Sequence, residues 1–199
     1  MRSATLFALF LFSALSFYPP STTAQPVLDA NGNSVRNGGT YYILPRFWGG
    51  GGGGIKRAIT GDETSPLSVV QSPFTADPGQ AWRLQSLFAS AFIPEGRIYI
   101  SYDYVQQPGV PSNYWTAVEG EAEKTVVKVG YPNSLPGFFT IHRTSSVNSY
   151  KFQFCSNDDA TSCSNVGIVR DDAGNRLLAT NQETPFEFVL APGSSVASK

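Results

Sequence analysis

The sequence predicts an all-β body of twelve short strands arranged as three pseudo-repeats. Three observations carry this expectation. Runs of about four to eight β-branched and aromatic residues are bounded by Gly, Pro, Asn and Asp. No window of about a dozen residues sustains a helical period. A four-part cadence of such runs recurs three times, at a spacing of about fifty to sixty residues, in the upper range of structural repeats.

The first run of each repeat is residues 41–44, 98–101 and 150–154, and the second is 55–60, 115–120 and 166–171. The third set is 67–70, 125–128 and 176–179, and the fourth is 82–84, 138–141 and 186–189. Between them stand turn signals: Asn31-Gly32, Asn37-Gly38-Gly39, Asp77-Pro78-Gly79 and Ala173-Gly174-Asn175. Gly and Asn tolerate positive φ there. The glycines at 49–54 read as a flexible hairpin tip between the first two strands, because ordering them is entropically costly. A phosphate loop is excluded, since neither the following Lys-Ser/Thr nor the helix is present.

Residues 1–24 are set apart from this body. Arg2 supplies a positive charge, residues 6–17 form an apolar run, and Ser21, Thr22, Thr23 and Ala24 are small. This is the pattern of a secretory signal, too short to span a bilayer. The expected domain is therefore residues 25–199, without a membrane segment. A formal net charge of −1 with scattered Lys and Arg gives no basic face for nucleic acid. No Asn-x-Ser/Thr acceptor occurs. The two cysteines, Cys155 and Cys163, read in a secreted chain as a structural disulfide. Closing so short a loop is worth about 2–3 kcal/mol in the chain-entropy model.

Catalytic constellations are missing. His142 is the single histidine, and no Gly-x-Ser-x-Gly elbow accompanies it. One His and two paired cysteines leave no ligand set for a metal. The acid pairs Asp158-Asp159 and Asp171-Asp172 sit in polar, turn-like contexts, without the burial that separates carboxyl pKa values. The chain reads as no enzyme, with no cofactor.

The run from Val27 to Leu44, VLDANGNSVRNGGTYYIL, resembles the opening of the plant Kunitz-type proteins, the soybean trypsin inhibitor family. Further similarities follow in order at 66–71, 92–96, 115–119, 150–155 and 166–168, so the resemblance covers nearly all of 27–189. It implies a β-trefoil, in agreement with the strand count.

The resemblance also implies protease inhibition by a substrate-like loop between the fourth and fifth strands. Here that loop includes Leu87, Phe88, Ala89, Ser90 and Ala91, with Ala89 entering the protease's primary pocket and Ala89–Ser90 the target bond. The loop is expected to be extended and preorganised, so that little entropy is lost on docking. Asn37 takes the place of the family's supporting Asn, whose side-chain amide donates to loop carbonyls. Three departures matter. Ala89 cannot pair with an acid at a pocket base, so an elastase- or subtilisin-like cleft suits it better than a tryptic one. Ser65 stands where the family's first-disulfide Cys falls, and the partner region 106–109 also lacks one. The glycines at 49–54 lengthen a loop that is shorter in the soybean protein.

The implied partner is a serine endopeptidase, met by a monomer that is secreted or vacuolar and serves in plant defence. A non-inhibitory storage or binding relative is the alternative, as is an inhibitor of a cysteine protease or serine carboxypeptidase through another surface. A carbohydrate-binding trefoil would want aromatics at equivalent positions, which Trp48, Trp82 and Trp115 do not occupy.

Overall fold

A computed structural model describes residues 25–47, 51–102, 112–120, 124–157 and 159–193. Among these, thirteen strands are formed: β1 (Thr40–Pro45), β2 (Ile55–Ala58), β3 (Ser68–Gln71), β4 (Ala81–Gln85), β5 (Gly96–Ser101), β6 (Trp115–Glu119), β7 (Thr125–Val129), β8 (Gly137–Arg143), β9 (Tyr150–Ser156), β10 (Cys163–Asn165), β11 (Gly167–Arg170), β12 (Arg176–Ala179) and β13 (Phe188–Pro192). Each of the twelve runs of the cadence overlaps one strand, the last of them only at Phe188 and Val189. The addition is β10, a short strand folded back on β9 with Cys163 opposite Cys155. It stands in addition to the twelve, and its polar Cys-Ser-Asn composition hides it from an apolar pattern.

Strands β9, β13, β1, β4, β5 and β8 pair in that order, and β8 pairs again with β9, so the six close into a ring. Closure leaves the six-strand ring without a free edge of its own, and β10 is added outside it on β9. The hairpins β2–β3, β6–β7 and β11–β12 cap one end, and their inner strands touch pairwise at Ser68–Lys128, Leu177–Val70 and Ala179–Val126. A six-strand barrel closed by three hairpins about a pseudo-threefold axis is the β-trefoil.

Period-two alternation fills the barrel. Trp82 and Leu84 of β4 point in while Arg83 and Gln85 point out, and Tyr150, Phe152 and Phe154 of β9 alternate with Lys151 and Gln153 in the same way. Aromatic rings join the repeats at the centre. Trp115 meets Trp82, Phe139 and Phe152 edge-on at 5.1–5.9 Å, and Phe152 stacks on Phe188 at 4.2 Å. Trp82 Nε1 donates to the Ile55 carbonyl (3.0 Å), which satisfies its one polar atom. Trp82 and Trp115 are thus core residues rather than sugar-stacking platforms, and Trp48 lies outside the described residues.

The glycine run departs from expectation. Gly49 and Gly50 lie outside the described residues, but Gly52, Gly53 and Gly54 are buried. Gly53 N–H donates to Ser72 O (2.8 Å), Gly54 N–H to Asp77 O (2.9 Å), and Ser72 N–H to Gly54 O (2.9 Å). A Cβ on Gly54 would overlap the Pro78 carbonyl. These glycines are ordered because only a backbone without side chains fits beneath the β3–β4 turn, so close approach rather than flexibility explains this part of the run.

Candidate functional site

Strand β1 runs toward the cap and β4 returns from it, so the connection from β4 to β5 emerges at the opposite end of the barrel. Leu87, Phe88, Ala89, Ser90 and Ala91 all sit on this connection and are exposed, Leu87 at 62% and Phe88 at 63%. Apolar side chains of that size left in water are available to an occluding partner.

Asn37 lies beneath the loop and engages it at four points. Its Nδ2 donates to Phe88 O (3.3 Å) and to Ser90 O (3.0 Å), and its Oδ1 accepts from Ser86 N–H (2.9 Å). Its backbone N–H donates to Ala91 O (3.0 Å). The loop also braces itself, with Phe88 N–H on Ser86 Oγ and Phe92 N–H on Ser90 Oγ, both at 3.2 Å. It is not extended throughout. Ser90 N–H donates to Phe88 O (2.7 Å), which bends the chain about Ala89. This local bend corrects the expectation of a fully extended loop, and it turns the Phe88 carbonyl into an acceptor shared with Asn37.

What holds Asn37 is equally specific. Gly38 has φ +79°, the left-handed region that favours glycine, and its N–H donates to Leu84 O (2.7 Å). Arg83 donates to Gly38 O (3.0 Å). The Asn37-Gly38-Gly39 turn is therefore stitched to the last residues of β4, just before the loop begins.

The far root of the loop is fixed by an N-terminal arm that strand periodicity alone does not reveal. Val27 N–H donates to Ile93 O and Ile93 N–H to Val35 O (2.8 and 2.9 Å), and all three side chains are fully buried. Glu95 accepts from the Arg143 backbone N–H (2.9 Å) and from Arg143 Nε (3.1 Å), and Arg143 also donates to Pro26 O (3.1 Å). The signal was present in buried Val27 and Val35 flanking a polar turn, but only contact with Ile93 shows its purpose.

Elsewhere the polar groups serve the fold. His142 is half-buried on β8 with Nε2 3.0 Å from Thr140 Oγ1, and burial lowers its pKa below the ordinary histidine value. Asp171 accepts from Asn175 N–H and Nδ2 (2.7 and 2.8 Å), closing a turn. Asp159 closes another with Thr161, and those hydrogen bonds lower its pKa, while Asp158 lies outside the described residues. Cys155 and Cys163 are disulfide-bonded. A recess of about 450 Å³ opens at the cap, where Glu63 is already engaged by Lys128 (2.7 Å), Ser68 Oγ and the Thr60 N–H. Among the described residues no group of three His, Cys, Asp or Glu could hold a metal ion. Ser65 precedes β3, and residues 106–109 lie outside the described residues.

Comparison with known proteins agrees with this architecture. A family model described as trypsin and protease inhibitor, of the legume Kunitz type, matches residues 27–191, and the chain belongs to that family. It is 39% identical over 178 residues to a chymotrypsin inhibitor of Erythrina variegata, covering 86% of this chain and 98% of that protein. A Kunitz-type trypsin inhibitor of Glycine max is 39% identical over 195 residues, 94% of each chain. Among solved structures, soybean trypsin inhibitor in complex with porcine pancreatic trypsin is similar at 35% identity and a TM-score of 0.75, over 84% of this chain and 99% of that one.

Proposed function

We propose that this protein inhibits a serine endopeptidase that prefers small residues, with Ala89–Ser90 as the bond presented to it. The observation that carries the reading is the way Asn37 straddles Ala89: its Nδ2 holds the carbonyls of Phe88 and Ser90, and the Ala89 carbonyl between them has no hydrogen-bond partner among the described residues. An attacking serine and an oxyanion hole require a carbonyl free to accept new donors. Ala89 offers one in a bend that is already formed, so docking costs little ordering entropy. If the bond is cut, Ser90 O and Ala91 O are still held by Asn37. The new amine then stays near the acyl group, and its effective molarity favours resynthesis over release.

The relatives' names, a trypsin inhibitor and a chymotrypsin inhibitor, support a serine-protease target. The pocket residue supports the finer preference: a methyl group neither reaches an acid at a pocket base nor fills an aromatic slot. Leu87 and Phe88 supply apolar flanks, and full burial of a Phe side chain is worth about 1.5–3 kcal/mol. Secretion, read from residues 1–24, would bring the monomer to extracellular or vacuolar proteases. The test is a panel of inhibition constants against trypsin, chymotrypsin, elastase, subtilisin and papain for the parent and for Ala89→Arg. Inhibition of elastase or subtilisin by the parent, and of trypsin by Ala89→Arg, is expected. Inactivity of both proteins against every serine protease would sink the proposal.

A further inference from the structure

We propose that Asn37-Gly38 is a latent deamidation site, kept unreactive by the loop that Asn37 supports. Asparagine followed by glycine is the sequence most prone to this chemistry, because no Cβ obstructs the following backbone nitrogen. In the reaction the Gly38 nitrogen bonds to Asn37 Cγ, the Cγ–Nδ2 bond breaks, and Nδ2 leaves as ammonia with the proton from Gly38. Water then opens the succinimide at either carbonyl, giving aspartate or isoaspartate. A side chain at Gly38 would meet nothing within 4 Å, so water has access to the site.

The folded structure blocks the first step twice. Gly38 N–H is engaged with Leu84 O at 2.7 Å, and the Asn37 carboxamide is held by Phe88, Ser90 and Ser86, so Cγ cannot swing onto the nitrogen. The chain contains an internal reference in Asn31-Gly32, its other Asn-Gly pair. There Gly32 N–H is also engaged, with Asp29 O at 2.9 Å, yet Asn31 is exposed and its carboxamide has no hydrogen-bond partner among the described residues. The two pairs differ chiefly in whether the amide is clamped. Clamping is mutual: Asn37 orders the loop, and the ordered loop preserves Asn37. Once the loop opens, conversion to a carboxylate removes both Nδ2 donors and sets like partial charges against the Phe88 and Ser90 carbonyls, so the loop does not re-form.

The experiment follows both pairs by peptide mass spectrometry during incubation of the full chain at mildly alkaline pH. In urea the two asparagines should react at similar rates. In the folded protein Asn37 should lag Asn31 by about tenfold or more, since several hydrogen bonds must open first. Ser86→Pro removes the donor to Asn37 Oδ1 and should raise the Asn37 rate while leaving Asn31 unchanged. If that variant disturbs β4, Leu87→Gly/Phe88→Gly loosens the loop without touching a strand and decides instead. Equal rates in the folded protein, or an Asn37 rate unmoved by the loosened loop, would overturn the proposal. The consequence for inhibition rests on the protease reading above. Asn37→Asp in the Ala89→Arg background should weaken trypsin binding about tenfold or more. Failure of Ala89→Arg itself to bind trypsin would count against that reading alone, because the mass measurement needs no protease.

Discussion

Replacing Asn37 by alanine isolates the contribution of loop support. The substitution removes hydrogen bonds at 3.3, 3.0 and 2.9 Å to Phe88 O, Ser90 O and Ser86 N–H, but leaves the backbone bond to Ala91 O in place. Each such bond is worth about 0.5–1.5 kcal/mol net, and partners that water can reach fall toward the lower end. Together they stabilise the ordered loop by about 1.5–3 kcal/mol. That free energy must be supplied again when a protease binds, which corresponds to an inhibition constant weakened about 10- to 150-fold. The barrel core contains no part of Asn37, so the unfolding midpoint should fall by no more than this free energy allows, a few degrees. Two measurements check this: inhibition of trypsin in the Ala89→Arg background, and hydrogen exchange at the Ser86 amide, which should accelerate. An inhibition constant within twofold of the parent, with Ser86 exchange unchanged, would refute the view that Asn37 orders the loop.

Other consequences are more local. Gly54→Ala drives a methyl group into the Pro78 carbonyl and should cost about 1–3 kcal/mol or more, read from the denaturant midpoint. Cys155→Ser/Cys163→Ser should cost about 2–3 kcal/mol of stability and leave inhibition intact, since the hairpin it closes lies away from the β4–β5 loop. Hydrolysis of Ala89–Ser90 leaves both cysteines on the C-terminal piece, so the nicked chain should separate into two fragments on a denaturing gel without reductant. Asp77 has its pKa lowered to about 2 by hydrogen bonds from Lys56, Ser72 and the Gly79 N–H. A depressed carboxyl stabilises fully above its unfolded value of 3.8 and progressively less as pH falls toward about 2. Thermal midpoints of the parent and Asp77→Asn should therefore converge across that interval, and a constant gap would contradict the assignment.

How much could be read from the chain differs between elements. Strands such as β4 and β9 were legible because their inward and outward residues alternate, and burial on one face is what a period of two records. Strand β10 was not, because it is held by pairing with β9 and by a disulfide rather than by an apolar face. The glycines at 52–54 were misread because composition reports the entropy of ordering them but not the backbone that packs against them. On the loop, family resemblance pointed to Ala89 and Asn37, but not to the bend that makes Phe88 O a shared acceptor.

The sequence by itself determined the all-β class, the threefold cadence and the identity of the residue at position 89, an alanine. These depend on local periodicity and residue identity, which the chain carries directly. Tertiary structure decided which of the loop's carbonyls Asn37 holds. That outcome depends on bringing Asn37 to residues about fifty positions away, together with an N-terminal arm and an arginine on β8 that fix the loop's far root. Contacts at such separation arise only once the barrel closes, so no local pattern encodes them.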